Sequence, residues 1–147
     1  MKIYLASSHK NVLQPAVLAE LRRVGYTVYD FKNPAEGVPG FSWSEVDPDW
    51  RQWDEHLFIG GLRHPAARAG FQRDFEAMQD ADACVLLLPC GRSAHSEAGF
   101  MKGSGKPVFV LLSGAMEAEL MYGLFDAITF TTAGLISVLQ YHQNKMV

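Results

Sequence analysis

The feature that most constrains the fold is a strand, turn, helix, turn, strand pattern over residues 83–112. Residues 83–88 form a short apolar run, the pattern of a strand buried on both faces of a parallel sheet. Residues 89–92 interrupt the run with Pro89, which cannot donate to a central ladder. A second apolar run follows at 108–112. Two such strands joined by a helix predict the centre of an α/β domain.

The helix inside this pattern contains the first candidate for chemistry. Ser93 or Ser96 can cap its beginning, and Gly103 and Gly105 end it. Glu97 is expected in its first turn, where the helix dipole favours a negative charge. Ligands of open parallel sheets bind where a strand ends and a helix begins, so Glu97 is a candidate catalytic residue. The alternative is that Glu97 only stabilises the helix N-terminus.

The rest of the chain alternates in the same way. The further predicted strands are 2–6, 26–31 and 127–131, and the further predicted helices are 12–24, 51–59, 66–79, 116–122 and 133–143. Gly60 and Gly61 are expected to end the helix at 51–59. Ser8 or Asn11 can cap the first helix, and Thr132 the last. The pattern predicts a doubly wound, flavodoxin- or Rossmann-like α/β fold with a five-stranded parallel sheet and helices on both faces. We expect one domain spanning 1–147.

Composition excludes several classes of function. The net charge of −3 and the absence of a Lys/Arg cluster argue against a nucleic-acid partner. The sequence contains no run of eighteen apolar residues, so it predicts no membrane span. No secretory pattern follows Met1, and we therefore expect a cytoplasmic protein. There is no dinucleotide fingerprint, no Walker loop and no metal-ligand spacing among the histidines. Phosphoryl-transfer ATPases and nicotinamide dehydrogenases are therefore disfavoured, and no metal site is indicated.

The two cysteines do not favour a disulfide. Cys84 and Cys90 would lie roughly 20 Å apart if the strand continued between them, which is too far for a bond. Two cysteines are also too few for a Cys-based zinc site. Cys90, beside a helix N-terminus and Arg92, is an alternative nucleophile whose thiol pKa we expect to be lowered.

Two segments supply candidate ligand contacts. Ser7 and Ser8 follow the first strand and face the crevice of an α/β domain. The turn with Gly91, Arg92, Ser93 and His95 supplies backbone N–H groups, a hydroxyl and a guanidinium. It is a candidate site for an anion or a sugar hydroxyl.

The long irregular segment 33–49 and the residues after it interleave aromatic rings with carboxylates. Trp43, Trp50, Trp53 and Asp54 suit a pocket that stacks a flat heterocycle and hydrogen-bonds its edge. The alternative is a hydrophobic plug beneath a long loop.

The sequence resembles a known family. Residues 96–100, Ser-Glu-Ala-Gly-Phe, followed by Gly-Lys-Pro-Val at 105–108, resemble the Glu-Leu-Gly-Tyr…Gly-Lys-Pro-Val stretch of the nucleoside 2-deoxyribosyltransferase superfamily. That superfamily includes the 2′-deoxynucleoside 5′-phosphate N-hydrolases. Residues 3–6 look like its first strand. Residues 71–74 and 80–83 look like its Asp-bearing helix and the start of its third strand, so the resemblance covers most of the chain.

The resemblance implies a function and roles for three residues. Glu97 would be the nucleophile that takes deoxyribose from the base, and Tyr4 would hydrogen-bond it. Asp74 would help to protonate the departing base or orient the sugar. The chemistry would be retaining, through a covalent deoxyribosyl-enzyme that a second base or water attacks, as in retaining glycosidases. No cofactor is required.

The chain also departs from the family pattern. Gly91 stands where the transferases carry an Asp, and Glu119 stands near the position of an Asn that they borrow from a neighbouring subunit. Arg92 and Ser93 favour a nucleotide hydrolase, because those enzymes hold a 5′-phosphate with serines near this turn. The expected partner is a small-molecule nucleoside or nucleotide.

We also expect a homo-oligomer, a dimer or larger, because family sites are completed across subunits and an apolar stretch runs from 116 to 125. Two alternatives to the deoxyribosyl chemistry stay open. One is a non-catalytic module that binds a nucleotide or a nucleotide sugar. The other is a glycohydrolase of a ribosyl nucleotide such as a nicotinamide dinucleotide.

Overall fold

The computed structural model describes residues 1–147, and its elements follow the predicted alternation. The strands are β1 Lys2–Ala6, β2 Thr27–Tyr29, β3 Ala83–Leu87, β4 Val108–Leu111 and β5 Ala127–Thr129. The helices are α1 Gln14–Arg23, α2 Glu55–Leu62, α3 Pro65–Asp80, α4 Arg92–Gly103 and α5 Thr132–Lys145. Short 3-10 helices lie at Trp43–Glu45, Trp50–Gln52 and Leu120–Leu124. No helix is both long and apolar enough to cross a membrane.

The five strands form one parallel sheet in the order β2-β1-β3-β4-β5. This is a doubly wound order, in which successive strands are added on one side of β1 and then on the other, so that the strand order reverses between β1 and β3. Tyr4 of β1 is in register with Cys84 of β3, which is in register with Val108 of β4. The predicted fold class, an α/β fold with a five-stranded parallel sheet, is confirmed.

The two faces of the sheet carry different helices. One face, with Ile3, Val85 and Phe109, packs against α1 and α5 to form the main hydrophobic core. Alternate strand residues point to the other face, which includes Tyr4 and Cys84 and receives α4. Because both strand faces are buried, the central strands read as continuous apolar runs in the sequence.

The chain divides into two compact units. The first, Met1–Asp30 with Asp80–Val147, contains the whole sheet with α1, α4 and α5. The second, Phe31–Gln79, contains α2 and most of α3. In the second unit the ring of Phe41 packs against the backbone of Gly70, where a side chain would collide with it.

Two helices of the first unit end as the glycine pattern predicted. Gly25 after α1 and Gly105 after α4 have φ values of +98° and +82°, which favour glycine. Gly25 N–H donates to Arg22, and Tyr26 N–H to Leu21, the double hydrogen bond of a Schellman motif. This motif turns α1 directly into β2.

Several predicted helix starts were wrong. Neither Ser93 nor Ser96 caps α4, because its N-cap is Gly91 and Ser96 Oγ donates to Arg92 O inside the helix. Glu97 therefore lies in the second turn of α4, not the first, where the helix dipole acts less strongly. Likewise α1 has no side-chain cap at its N-cap residue, Leu13.

The last helix and two short segments also differ from prediction. Thr131, not Thr132, caps α5, since its Oγ1 accepts from Gly134 N–H. The helix predicted over 51–59 is α2 at Glu55–Leu62, which runs through the two glycines expected to break it. The segment predicted over 116–122 is a 3-10 helix at Leu120–Leu124.

Candidate functional site

The reversal point of the sheet, between β1 and β3, is where the loops after these strands meet. Ser7 Oγ donates to Leu87 O at 2.9 Å, and Asn11 Nδ2 donates to Pro89 O at 3.1 Å. Pro89 follows a cis peptide bond. Two side chains of the β1 loop thus bind the backbone that leads from β3 into α4, so the loops form one hydrogen-bonded edge at the position typical of ligand sites in this topology.

Asn11 was expected only as a possible helix cap. Its Oδ1 accepts from Leu13 N–H at 2.9 Å, while its amide nitrogen bridges to the β3 loop. Ser8 Oγ accepts from Lys10 N–H at 3.2 Å and so shapes the same loop. The bridge from Asn11 to Pro89 spans 78 residues and leaves no local pattern in the sequence.

Tyr4, Cys84 and Glu97 are brought together on the face that receives α4. Tyr4 is fully buried and its ring stacks on Tyr29 of β2, with ring centroids 5.4 Å apart. Cys84, its partner in register, is also fully buried. Burial first, and the carboxylate of Glu97 second, raises the pKa of the Cys84 thiol. The half-buried Glu97 therefore lies close to β3 in the middle of the sheet.

Cys90 lies in the turn before α4, and its environment opposes a role as nucleophile. Burial and the Glu97 carboxylate raise the pKa of its thiol to about 12. The expectation of a lowered pKa was wrong, because the turn buries the sulfur and α4 brings a negative charge to it. Both cysteines are free, as the sequence predicted.

His95 is held by three neighbours. Its Nδ1 lies 2.7 Å from Gly91 O and 3.6 Å from Cys90 Sγ, and its Nε2 lies 2.8 Å from Tyr122 Oη. The His95 and Tyr122 rings stack at 13°, with centroids 5.8 Å apart. Sequence reasoning placed Tyr122 only in an apolar stretch, because 27 residues separate it from His95.

The first turn of α4 is open. Arg92 and Ser93 are exposed, and no side chain caps the helix at Gly91. The first backbone N–H groups of a helix have no partner within the helix. The predicted anion-binding residues thus lie at an exposed helix N-terminus that favours negative charge.

Glu119, which the resemblance places near the Asn that the transferases borrow from a neighbouring subunit, caps the 3-10 helix that carries Tyr122. Its carboxylate accepts from Met121 N–H at 3.0 Å. Burial first, followed by the charges of Cys90 and Glu119, raises the pKa of Tyr122. Tyr122 therefore lies close to Cys90 of the turn before α4.

In the second unit, Trp43 and Trp53 belong to one aromatic cluster with Phe41. The Phe41–Trp43 and Trp43–Trp53 ring centroids are 4.9 Å and 5.7 Å apart, both edge to face. Trp53 Nε1 donates to Asp47 at 2.6 Å, which lowers the pKa of that carboxyl group. The Trp53 ring lies against Gly61, where no side chain would fit. These rings are packed against one another and against a helix backbone.

The other predicted residues of this unit are more exposed. The guanidinium carbon of Arg51 lies 4.4 Å from the ring centroid of the half-buried Trp50. Asp54 is exposed and caps α2, where it accepts from Leu57 N–H at 2.9 Å. Asp74 is half-buried on α3.

No group of three or more His, Cys, Asp or Glu side chains is arranged to hold a metal ion. A cavity of about 490 Å³ is lined by residues 33 and 35–39 of the second unit. Its lining contains none of the predicted site residues, and its one ionisable group is Glu36, so it offers no arrangement for chemistry.

Comparison with solved structures shows what this fold resembles. A 2-deoxyribosyltransferase from Bacillus psychrosaccharolyticus superposes with a TM-score of 0.57 at 23% identity, over 92% of this chain and 90% of the other. The CMP N-glycosidase BcmB of Clostridium botulinum gives 0.52 at 17% identity, over 95% and 99%. A conserved protein from Enterococcus faecalis V583 gives 0.50 at 18%, over 94% and 87%.

These comparisons cover 92–95% of the chain at low identity, and they therefore confirm the resemblance at the level of the fold alone. No protein-family model and no curated protein sequence matches the chain. Roles of individual residues therefore rest on the geometry of the site.

Proposed function

We propose that this protein is an enzyme of the nucleoside 2-deoxyribosyltransferase superfamily. It cleaves the N-glycosidic bond of a 2′-deoxynucleoside or its 5′-monophosphate and passes the deoxyribosyl group to water or to a second base. The observation that carries the proposal is the position of Glu97. Glu97 lies in the second turn of α4, the helix that begins at the point where the strand order of the sheet reverses. Its charge acts on Cys84 of β3, so the two side chains lie close together. A deoxyribosyltransferase and a CMP N-glycosidase share this fold.

Glu97 is the proposed nucleophile. Its carboxylate attacks the anomeric carbon as the bond to the base breaks, so that the base leaves with the bonding electrons and takes up a proton. The resulting ester between Glu97 and deoxyribose is then attacked by water, which gives free sugar, or by a second base, which gives a new nucleoside. The competing nucleophile, Cys90, is disfavoured because a thiol with a pKa of about 12 carries its proton at neutral pH.

The open turn of α4 favours the 5′-monophosphate over the nucleoside. A phosphate placed there would meet exposed Arg92, exposed Ser93 and the uncapped N–H groups of the helix. From the family resemblance, we propose that Tyr4 hydrogen-bonds the nucleophile and that Asp74 helps to protonate the departing base or orients the sugar.

The test is base release from each deoxynucleoside and each 5′-monophosphate, with and without an acceptor base, followed by chromatography. We expect free base from wild type and at least a thousand-fold less from Glu97→Gln, on the scale of losing a nucleophile. Glu117→Gln, at an exposed position between β4 and β5, is the matched control and keeps wild-type activity. If Glu97→Gln releases base as fast as wild type, the proposal is wrong.

The covalent intermediate has a separate test. A 2-fluoro-substituted substrate slows breakdown of the glycosyl-enzyme, so mass spectrometry should find the sugar on the peptide that contains Glu97. Two other results would select the alternatives. Tight nucleotide binding that survives Glu97→Gln, without turnover, selects a binding module. Release of nicotinamide from a dinucleotide selects a ribosyl glycohydrolase.

A further inference from the structure

His95 has no free ring nitrogen for a substrate. Gly91 O, a carbonyl, can only accept a hydrogen bond, so the His95 nitrogen 2.7 Å from it, Nδ1, carries a proton. In the neutral ring Nε2 is then an acceptor, and the Tyr122 hydroxyl, 2.8 Å away, donates to it. Both nitrogens are thus occupied by atoms of the protein, although the sequence predicted a substrate contact here.

Tyr122, the hydrogen-bond partner of His95, is itself held in place by its own segment of the chain. Tyr122 belongs to the 3-10 helix Leu120–Leu124, which Glu119 caps through Met121 N–H. The Tyr122 ring also packs against Phe125, with centroids 5.9 Å apart. A continuous set of contacts therefore runs from the segment between β4 and β5 to the first turn of α4.

The same turn is bound from the opposite side by the β1 loop, through Ser7 and Asn11. Two residues beyond His95 on the same helix is Glu97, whose charge acts on Cys90, the residue that also contacts His95. A shift of the turn would thus move Glu97 relative to the floor of the sheet.

We propose that Tyr122 and His95 form a positioning pair that holds the N-terminal turn of α4, and with it Glu97, and that neither contacts substrate. The role of the pair in turnover rests on the proposed function. Its role in holding the turn does not.

The first experiment measures the turn without any substrate. Cys90 is half-buried and Cys84 fully buried, so a maleimide followed by mass spectrometry reports the exposure of Cys90 alone. Tyr122→Phe removes the hydroxyl and keeps the ring. We expect Cys90 to react about five-fold faster, which is the factor that one net hydrogen bond contributes. Tyr141→Phe, on the exposed side of α5, removes the same atom elsewhere and leaves the rate unchanged.

The second experiment is a double-mutant cycle on turnover. His95→Asn keeps a donor for Gly91 O but loses the bond to Tyr122. We expect His95→Asn and Tyr122→Phe each to lower kcat about ten-fold with KM unchanged, because small displacements of a reacting group are costly. The double variant should lose about ten-fold as well, since both changes break one bond.

The outcomes separate the two proposals. A raised KM with unchanged kcat, or a loss of about a hundred-fold in the double variant, would show that His95 acts on substrate and would overturn the pair. An unchanged Cys90 reaction rate in Tyr122→Phe would overturn it too. If wild type releases no base from any nucleoside, the proposed function fails, and the Cys90 rate alone decides whether the pair holds the turn.

Discussion

The buried hydroxyl of Tyr26 makes a quantitative prediction about stability. Tyr26 directly precedes β2 and is 7% exposed, within the core formed by the sheet, α1 and α5. Its hydroxyl is buried and has no hydrogen-bond partner. A polar group buried without a partner costs about 1–3 kcal/mol. Burial also raises the pKa of the hydroxyl.

Tyr26→Phe removes that group and keeps the ring. The void it leaves is about 10 Å³, which costs only about 0.2 kcal/mol at ~24 cal/mol per Å³. We therefore expect the free energy of unfolding to rise by about 1 kcal/mol or more. For 147 residues the entropy of unfolding is about 0.3 kcal/mol per degree, so Tm should rise by about 3 °C.

Urea denaturation followed by circular dichroism measures this change. The slope with urea should stay the same while the midpoint rises. Tyr141→Phe, at a side chain that is 63% exposed, is the control and should change stability by less than about 0.5 kcal/mol. A loss of about 1 kcal/mol in Tyr26→Phe would refute the reasoning, because it would mean that the hydroxyl makes a net favourable bond.

Four further predictions concern the site and the surface. Glu97→Gln should speed the reaction of Cys90 with a maleimide, because the carboxylate no longer raises the pKa of that thiol. The free energy of unfolding should fall as pH rises above about 8.5. The Cys90 thiol keeps its proton in the folded protein until about pH 12, whereas in the unfolded chain it loses the proton from about pH 8.5. Urea denaturation at several pH values measures this change. Arg92→Gln should raise KM for a 5′-monophosphate about ten-fold and leave KM for the nucleoside unchanged; equal effects would contradict a phosphate site. Sedimentation should show an oligomer that Leu120→Ser, at a side chain 89% exposed, weakens; a monomeric wild type would contradict this proposal.

Local sequence patterns predicted the structure where it depends on residues that are close together in the chain. The strand at Lys2–Ala6 has the predicted bounds, and the strand at Ala83–Leu87 differs by one residue. Apart from Lys2, both are apolar runs, because their residues are buried on both faces of the sheet. The glycines after α1 and α4 adopt positive φ, as expected for a glycine that directly follows the end of a helix.

The predicted helix bounds were wrong where contacts outside the local sequence pattern determine them. Gly60 and Gly61 were expected to end a helix, yet α2 continues through them, and the ring of Trp53 occupies the space that a side chain at residue 61 would fill. The predicted start of α4 was wrong because its N-cap residue is Gly91, which has no side chain to cap the helix. The capping Ser, Thr, Asp or Asn that usually marks a helix start in the sequence is therefore missing. Helix propensity is a weak guide when packing of this kind intervenes.

The electrostatics of the candidate site connect the proposed nucleophile, Glu97, to the elements around it. Burial raises the pKa of both thiols, and the Glu97 charge raises it further, so the proposed attacking group helps to keep its competitors protonated. This arrangement depends on α4 lying at a fixed depth over β3, because the effect of a charge on a neighbouring group falls as the distance between them grows. The bonds from the β1 loop and from Tyr122 hold the turn that sets this depth. Loosening that turn should therefore weaken the proposed attack by Glu97 and, at the same time, make Cys90 more reactive, two effects that a role confined to substrate contact would not couple.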